Sequence, residues 1–405
     1  MIKLTKRNLK EAFFLIAILM WTGCSQNSFS TSSTSAGGNY SVSVPAGSNV
    51  MEVTVGGACS GYINEICASV TICTPGTTTC QTIDNLLVDT GSYGLRVFKS
   101  VLSISLSPET NGSNTYGTCV SYMDGSIQWG SVQKADITMG SLTASSVPIQ
   151  VIDGSFAGGP NSNCGTASQV ENSPSAAGFN GILGVGLFAE DCGTACSSAA
   201  TKYYYLCSSS SCSEAAMPIS LQVTNPVSML PNGYNNGVIL QLPDVPTGGA
   251  ASATGVLIMG IGTSTNNTMS GAVMYATDSS GDIVTAFNGS RKSAFIDSGS
   301  NGLYFPGSAV LTTCSGSLSS FFCPASLTTL SATIYNAVQT VSSSTSFYVL
   351  SANTIYAGSN SVYPDLGGDY STGFDWGLPF FFGKTIGFGI DGKASTFGTG
   401  PYYVF

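Results

Sequence analysis

From about residue 48 onward, hydrophobic positions fall in short runs separated by turns rich in Gly, Asn, Asp and Pro. Runs of this length are typical of β-strands. Residues 68–73 and 80–88 form the clearest pair, because they flank a Thr-Pro-Gly-Thr-Thr-Thr turn. The pattern predicts a hairpin in which Cys73 and Cys80 form a disulfide across the loop. One helix is predicted later in the chain, within about residues 324–341.

The N-terminus has the pattern of an export signal. Four basic residues lie in the first ten positions, and an apolar run from Ala12 to Trp21 follows. This run is too short to span a bilayer and has the length of a signal-peptide core. The next residues, Thr22-Gly23-Cys24, resemble a bacterial lipoprotein processing site, which implies lipidation of Cys24. The alternative is an ordinary secretory signal in which Cys24 is incidental.

The cysteine count agrees with export. The chain has 13 Cys, and removing Cys24 leaves an even number that can form six disulfides. Disulfides persist in oxidising compartments such as the periplasm or the cell surface. A Cys-rich segment contains Cys192, Cys196, Cys207 and Cys212, and its four cysteines allow three pairings.

Residues 25–47 are predicted to be a flexible tether, because they are rich in Ser, Thr, Gly and Asn and contain no charged residue. An ordinary frayed terminus is the alternative. Without residues 1–24 the chain has 8 basic and 20 acidic residues, a net charge of −12. Such a surface repels anionic lipids, so attachment to a bilayer would depend on a lipid at Cys24.

Composition excludes several function classes. The 405-residue chain has no histidine, which rules out a Ser-His-Asp triad, a Cys-His pair and His-ligated zinc or haem. Charged residues are only 8% of the chain but hydrophobic residues are 43%, so it is not a disordered acidic chain. No basic run follows the first ten residues, and we expect no nucleic-acid partner, no metal and no cofactor.

One motif occurs twice, about two hundred residues apart. Residues 87–92 read Leu-Val-Asp-Thr-Gly-Ser, and residues 295–300 read Phe-Ile-Asp-Ser-Gly-Ser. A single copy would be read as a strand-ending turn. Two copies in matching apolar contexts predict two similar lobes, each contributing one Asp.

This pattern suits acid–base chemistry. A buried strand delivers each carboxylate to a cleft, and Gly91 and Gly299 let the two loops come close. The hydroxyls of Thr90 and Ser298 can bond across to the other lobe, and Ser92 and Ser300 can orient the carboxylates. The supporting residues are therefore Thr90, Gly91, Ser92, Ser298, Gly299 and Ser300. Asp89 and Asp297 would then share one proton, because like charges that close cannot both ionise.

The paired motif resembles that of the pepsin-like aspartic peptidases, and in particular bacterial exported members of unassigned function. The resemblance covers most of the chain from about residue 69. Residues 179–186, Phe-Asn-Gly-Ile-Leu-Gly-Val-Gly, resemble the family's strand that passes behind the first Asp loop. The resemblance implies that Gly377 belongs to the corresponding strand of the second half. The fold implied is all-β and bilobal, with two β-barrel-like lobes and the active-site cleft between them.

Residues 120–126 resemble the hairpin flap that closes over substrate in this family. The resemblance implies Tyr122 as the flap tyrosine, with Gly125 and Ser126 in the flap turn. The alternative is that Tyr122 is simply a strand aromatic beside a turn. Pepsins commonly have Trp where this chain has Arg96, which could form a salt bridge, lower the pKa of a carboxylate, or receive an acidic substrate group.

These observations predict a domain organisation. It comprises a lipoprotein signal (1–24), the tether (25–47), an N-terminal lobe (48–225) and a C-terminal lobe (226–405). The predicted function is a monomeric aspartic endopeptidase that uses Asp89, Asp297 and an activated water on a polypeptide substrate. It would be lipid-anchored to the bacterial cell envelope. The alternative is a catalytically silent binding or inhibitor lipoprotein on the same fold.

Overall fold

The computed structural model describes residues 38–59 and 61–405 of the chain. The predicted signal segment with Cys24, and residues 25–37 of the predicted tether, lie outside the described residues. Among the residues described, no helix has the length and hydrophobicity needed to cross a bilayer.

The secondary structure of the described residues is mainly β-strand. The strands are β1 Asn39–Ser41, β2 Val50–Gly56, β3 Ile66–Cys73, β4 Cys80–Asp89, β5 Tyr93–Phe98, β6 Ser107–Pro108, β7 Thr110–Asn111, β8 Asn114–Ser121, β9 Ile127–Met139, β10 Leu142–Ile152, β11 Gly181–Val185, β12 Tyr204–Cys207, β13 Cys212–Glu214, β14 Gly237–Gln241, β15 Ser252–Met259, β16 Met274–Ala276, β17 Ile283–Phe287, β18 Ser290–Ile296, β19 Leu303–Phe305, β20 Thr328–Tyr335, β21 Ser342–Val349, β22 Gly367–Asp369, β23 Phe374–Trp376, β24 Thr385–Gly389, β25 Ala394–Ser395, β26 Gly398–Thr399 and β27 Tyr402–Val404. The α-helices are α1 Pro174–Ala177, α2 Thr194–Ser198 and α3 Ala352–Ala357. Short 3-10 helices span Lys99–Val101, Phe156–Gly158, Ala167–Gln169, Ile219–Leu221, Pro226–Met229, Thr265–Asn267, Gly316–Leu318 and Leu378–Phe381.

Most strands belong to two sheets. Within the described residues, eighteen strands are hydrogen-bonded into one continuous system that includes β1–β16, β24 and β27. The other seven-stranded sheet has the order β21-β20-β17-β18-β23-β19-β22. This architecture agrees with the predicted all-β class. The larger system draws strands from both predicted lobes, because β2 of the predicted N-terminal lobe pairs with β15 of the predicted C-terminal lobe.

The predicted hairpin is confirmed. Strands β3 and β4 pair antiparallel, and Cys73 lies opposite Cys80 and is bonded to it. The helix predicted within residues 324–341 is wrong, because residues 328–335 form β20, which pairs with β17 and β21. Its sequence, Thr-Thr-Leu-Ser-Ala-Thr-Ile-Tyr, is rich in β-branched residues, and Ala332 and Ile334 are buried at alternate positions. This is the period of a strand.

All twelve cysteines in the described part of the chain form disulfides. The pairs are 59–67, 73–80, 119–164, 192–196, 207–212 and 314–323. In the Cys-rich segment, where three pairings were possible, each cysteine bonds its nearest neighbour in sequence. Six disulfides indicate an oxidising, extracytoplasmic compartment.

One large hydrophobic cluster extends through both halves of the chain. It contains residues next to the first motif, such as Leu86 and Val88, and residues next to the second, such as Ile296 and Trp376. The last part of the predicted tether is attached to this body, since β1 pairs in parallel with β15. The two Asp motifs are therefore supported by one continuous core.

Asn64 joins the loop that precedes β3 to the second half of the chain. It has a left-handed backbone (φ 58°) and is buried. Its amide nitrogen donates to the carbonyls of Asn301 and Tyr363, both at 2.8 Å, and its amide oxygen accepts from the Tyr363 N–H at 2.7 Å. One side chain thus satisfies three backbone groups that are distant in sequence.

Replacing Asn64 with alanine should therefore be costly. We expect Asn64→Ala to lower the free energy of unfolding by about 2–4 kcal/mol more than Asn288→Ala, since each lost buried hydrogen bond costs about 1 kcal/mol. Asn288 is the matched control because it has a similar backbone (φ 47°) but is exposed in a turn. Chemical unfolding with the disulfides intact measures the free energy of unfolding of both variants. Equal losses for the two variants would show that the Asn64 hydrogen bonds contribute little.

Candidate active site

The two motifs sit in the same local arrangement of three strands. In the first half, β11 lies between β4, to which it is parallel, and β5, to which it is antiparallel. In the second half, β23 lies in the same way between β18 and β19. The strand predicted behind the first Asp loop is confirmed, since Gly184 of β11 lies opposite Asp89. Asp89 is thus the last residue of β4 and Asp297 directly follows β18, and each of these strands is paired with the middle strand of its half.

Both halves need glycine where this middle strand ends. A Cβ at Gly184 would lie 2.8 Å from backbone atoms of Tyr93, and a Cβ at Gly377 would lie 2.0 Å from the carbonyl oxygen of Gly302. Neither distance is possible for a side-chain carbon. Gly377 is therefore the counterpart of Gly184, as its place in the sequence predicted.

Hydroxyl groups cross between the two motifs in a symmetrical pair. The Ser298 N–H donates to Thr90 Oγ1 at 2.9 Å, and the Thr90 N–H donates to Ser298 Oγ at 3.1 Å. Each hydroxyl also donates to a carbonyl of the other strand, Ser298 to Val88 at 2.7 Å and Thr90 to Ile296 at 3.3 Å. Four buried hydrogen bonds therefore hold the ends of β4 and β18 together.

This link brings the two carboxyl groups into contact. Asp89 and Asp297 are both fully buried, and their carboxyl groups are hydrogen-bonded to each other. The approach requires glycine in both loops. A Cβ at Gly91 would lie 2.5 Å from Cγ of Asp297, and a Cβ at Gly299 would lie 2.6 Å from Oδ1 of Asp89.

Each carboxyl group is oriented by its own loop. The Gly91 N–H donates to Oδ1 of Asp89 at 2.9 Å, and the Ser92 hydroxyl donates to Oδ2. The second loop repeats this pattern on Asp297, with the Gly299 N–H at 2.7 Å and the Ser300 hydroxyl at 2.8 Å. All eight residues predicted around the dyad are therefore brought together. Gly91 is exposed and Ser92 is half-buried, so the first loop reaches solvent.

The two carboxyl groups differ in their tendency to ionise. Burial, and then the charge of Asp297, raise the pKa of Asp89 to about 7. Burial also opposes ionisation of Asp297, but hydrogen bonds from the Asp89 carboxyl, the Ser300 hydroxyl and the Gly299 N–H favour its ionised form, and its pKa is lowered. Two carboxyl groups this close do not readily ionise together, so the pair favours a state in which it holds one proton.

The β8–β9 hairpin lies beside the first loop. Its turn closes with the Tyr122 N–H donating to the carbonyl of Ser126 and the Gly125 N–H donating to that of Tyr122, both at 2.9 Å. The ring of Tyr122 is buried, and its hydroxyl donates to Oε1 of Gln128 at 2.9 Å. A cavity of about 170 Å³ opens between this hairpin and the dyad loop. Its lining includes Gly91, Ser92, Tyr93, Arg96, Tyr122 and Tyr203.

Arg96 is already paired. Its side chain is buried, with one guanidinium nitrogen 2.8 Å from Oδ2 of Asp191 and another 2.6 Å from Oε1 of Gln150. Asp191 in turn accepts from the Tyr204 hydroxyl. Of the roles that the sequence left open for Arg96, the structure shows the salt bridge, so the cavity wall carries a neutralised pair.

Sequence reasoning missed several of these residues. Asp191 and Gln150 have no motif of their own, and only the fold brings them to Arg96. Asp375 has no sequence signal beyond its place in the Phe374–Gly377 stretch, yet it is fully buried near Asp297. Aligning the two halves on their motifs would have singled it out, because the equivalent residue in the first half is Ile182. In residues 38–59 and 61–405, no group of three or more His, Cys, Asp or Glu side chains is arranged to hold a metal ion.

Comparison with known proteins identifies a family. A family model described as "Protein of unknown function (DUF3443)" matches residues 45–405. No curated protein matches the chain.

The crossed hydroxyls give a test with a conservative control. Thr90→Val keeps the side-chain shape but removes Oγ1, so the buried Ser298 N–H loses its partner. We expect it to lower the free energy of unfolding by about 2–3 kcal/mol, as an unsatisfied buried donor requires. Thr90→Ser retains the hydroxyl and should lose less than half as much. Chemical unfolding measures both variants, and a loss in Thr90→Val no larger than that in Thr90→Ser would contradict the importance given to the crossing bonds.

The buried ion pair gives a second test. Asp191→Asn leaves the buried Arg96 charge without a counter-ion, and we expect a loss of about 3–5 kcal/mol in the free energy of unfolding. Asp153→Asn is the control, because Asp153 also pairs with a cation at 2.7 Å, but with Lys99, whose side chain is 67% exposed. That variant should lose less than about 1 kcal/mol. Similar losses in the two variants would contradict the importance given to burial.

Proposed function

The chain belongs to the DUF3443 family, and we propose that it is an aspartic endopeptidase that hydrolyses peptide bonds with Asp89, Asp297 and an activated water molecule. The fold proposed with this activity is the bilobal, pepsin-like one, in which each Asp loop belongs to one lobe. The observation that carries the proposal is the hydrogen-bonded carboxyl pair at the ends of two equivalent, mutually bonded loops.

This pair fits the chemistry that the proposal requires. Amide hydrolysis needs a base that activates water and an acid that protonates the substrate. Two carboxyl groups that share one proton supply both, and the aspartic peptidases are the well-known enzymes that work in this way. The chain has no histidine to take either role.

In the proposal Asp297 is the base and Asp89 the acid, which agrees with the directions of their pKa shifts. Ionised Asp297 takes a proton from a water held between the carboxyl groups, and the water oxygen forms a bond to the scissile carbonyl carbon. Asp89 donates its proton to the carbonyl oxygen. As the tetrahedral intermediate collapses, the carbon–nitrogen bond breaks and the amine leaves with the proton that Asp297 took from water. A hydroxyl of the intermediate returns its proton to Asp89 as the carbonyl re-forms, so the dyad again holds one proton.

The β8–β9 hairpin and its cavity suit a polypeptide substrate. In the proposal an extended peptide lies along the dyad loops, under Tyr122, with one side chain in the cavity beside Tyr93 and Tyr203. Because Arg96 is neutralised by Asp191, the cavity has no free positive charge to attract an acidic side chain. We therefore expect apolar and aromatic residues to be preferred there.

The proposal places the enzyme at the bacterial cell envelope, attached by a lipid on Cys24 and acting as a monomer. The oxidising compartment that the disulfides indicate agrees with this location. The net charge of −12 without residues 1–24 disfavours direct adsorption to anionic lipids, which leaves the lipid as the means of attachment.

Peptide cleavage tests the proposed activity. The exported protein, purified with its disulfides intact, should cleave a diverse peptide mixture at acidic pH. Activity should fall as the pH rises through about 7, because Asp89 then loses the proton that it must donate. Asp89→Asn and Asp297→Asn should each reduce the rate by more than about a thousandfold.

Asp84→Asn is the control for these variants. Asp84 lies on the same strand, five residues before Asp89, but it is exposed and should be dispensable. Circular dichroism first shows that the wild type and the three variants are folded. Mass spectrometry of the products then measures peptide cleavage by each of them. If no folded protein cleaves any peptide between pH 3 and 8, the proposal fails. The alternative, a binding or inhibitor protein that retains this fold, is then favoured.

A further inference from the structure

A chain of hydrogen-bonded side chains begins at the turn of the β8–β9 hairpin. The Tyr122 hydroxyl donates to Oε1 of Gln128 at 2.9 Å, and Nε2 of Gln128 donates to Oε2 of Glu171, also at 2.9 Å. Gln128 is 0% exposed and Tyr122 is 8% exposed. The mechanism above gives neither Gln128 nor Glu171 a role.

The chemistry of the three groups fixes the direction of this chain. A carboxylate accepts hydrogen bonds but does not donate them, so the Gln128 amide turns its NH2 group towards Glu171. The amide oxygen then faces Tyr122, whose hydroxyl has to donate. A buried amide that uses both of its ends in this way avoids the cost of an unsatisfied polar group. Gln128 therefore presents a hydrogen-bond acceptor to Tyr122.

Gln128 faces away from the hydrophobic cluster of the hairpin. Its neighbours Ile127 and Trp129 belong to a separate cluster that also contains residues of β12. Side chains alternate between the two faces of a strand, so Gln128 projects from the opposite face. Its backbone carbonyl accepts from Nε2 of Gln150 at 3.0 Å, and Oε1 of Gln150 accepts from Arg96 at 2.6 Å. Both the backbone and the side chain of Gln128 are thus anchored.

Glu171 belongs to a segment that contacts the hairpin at several points. We call this segment, residues 164–171, the brace. Its first residue is joined to β8 by a disulfide, and the side chain of Gln169 donates to the carbonyl of Gly125 at 3.2 Å. The Glu171 N–H donates to the carbonyl of Ile127 at 2.9 Å. The brace therefore holds the Glu171 carboxylate in a fixed place relative to the strand that carries Gln128.

Tyr122 forms part of the wall of the cavity beside the first Asp loop, together with Gly91, Ser92 and Arg96. A tyrosine side chain without a hydroxyl partner can occupy other χ1 rotamers, which would change the shape of this wall. Arg96 cannot take the place of Gln128, because a guanidinium group has donors and no acceptor. The hydrogen bond to Gln128 thus selects the rotamer of Tyr122 that lines the cavity.

We propose that Gln128 is a positioning residue that fixes the Tyr122 ring in the wall of this cavity, while Glu171 sets the orientation of the Gln128 amide. The ring is then in place before a peptide binds, so binding does not have to order it. Loss of the hydrogen bond should weaken substrate binding more than it slows the chemical step, because no group that transfers a proton is changed. This effect on catalysis rests on the proposed function, whereas the placement of the ring does not.

The hydrogen bond of Tyr122 can be followed without enzyme activity. The protein is labelled with ¹³C at the tyrosine Cζ atoms, and the Tyr122 signal is assigned from its loss in Tyr122→Phe. We expect Gln128→Met, which keeps the length of the side chain but has only a weak acceptor, to shift and broaden this signal. Gln133→Met is the matched control, because Gln133 is on the same strand but donates to Ser131 Oγ at 2.8 Å. It should leave the Tyr122 signal in place.

With an active enzyme, the same variants separate binding from chemistry. Gln128→Met and Tyr122→Phe should each raise KM about fivefold and leave kcat within about twofold of the wild-type value. The double variant should show no larger change than either single variant, because both remove the same hydrogen bond. Gln133→Met should match the wild type.

Three results would overturn the proposal. They are an unchanged Tyr122 signal in folded Gln128→Met, the same signal change in Gln133→Met, and a fall in kcat without a rise in KM. If the methionine variant does not fold, Gln128→Ala adds no bulk and is read in the same way. If the wild type cleaves no peptide, the proposed function fails, but the Cζ signal still decides whether Gln128 positions the ring.

Discussion

The crossed hydrogen bonds of Thr90 and Ser298 are the constraint on which the site depends. Two carboxyl groups repel each other when both are ionised, and each would be better solvated in water than in a protein interior. The site nevertheless holds Asp89 and Asp297 in contact and fully buried. Because the two hydroxyl side chains bond to each other's backbone, neither loop can withdraw without leaving buried donors unsatisfied. The strands behind the loops, packed in one core, transmit this constraint to the rest of the molecule.

Proximity has a chemical consequence. Once the carboxyl groups cannot separate, the least costly state is the one in which they share a proton, and small differences between the loops decide which Asp holds it. The loops themselves are nearly identical in their hydrogen bonds. The middle strands of the two halves do differ, because Asp375 takes the position that Ile182 has in the first half.

Features encoded by local sequence could be predicted, and features that depend on distant contacts could not. The Cys73–Cys80 pairing follows from a turn between two strands, and the dyad loops follow from a motif that occurs twice. The partner of Arg96 could not be predicted, because Asp191 is almost a hundred residues away and reaches it only through the fold. The helix predicted within residues 324–341 is wrong because β20 pairs with β17 and β21. These contacts with distant strands, and not the local sequence pattern, determine the conformation of this segment.

A crystal structure with a bound statine-containing peptide at mildly acidic pH would test the central claim most directly. The statine hydroxyl imitates the water oxygen after it has attacked the carbonyl carbon. Our account predicts that this hydroxyl lies within hydrogen-bonding distance of both Asp89 and Asp297, with the peptide extended beneath the β8–β9 hairpin. A peptide bound elsewhere, or a hydroxyl that does not contact both carboxyl groups, would contradict a shared-proton dyad as the catalytic centre.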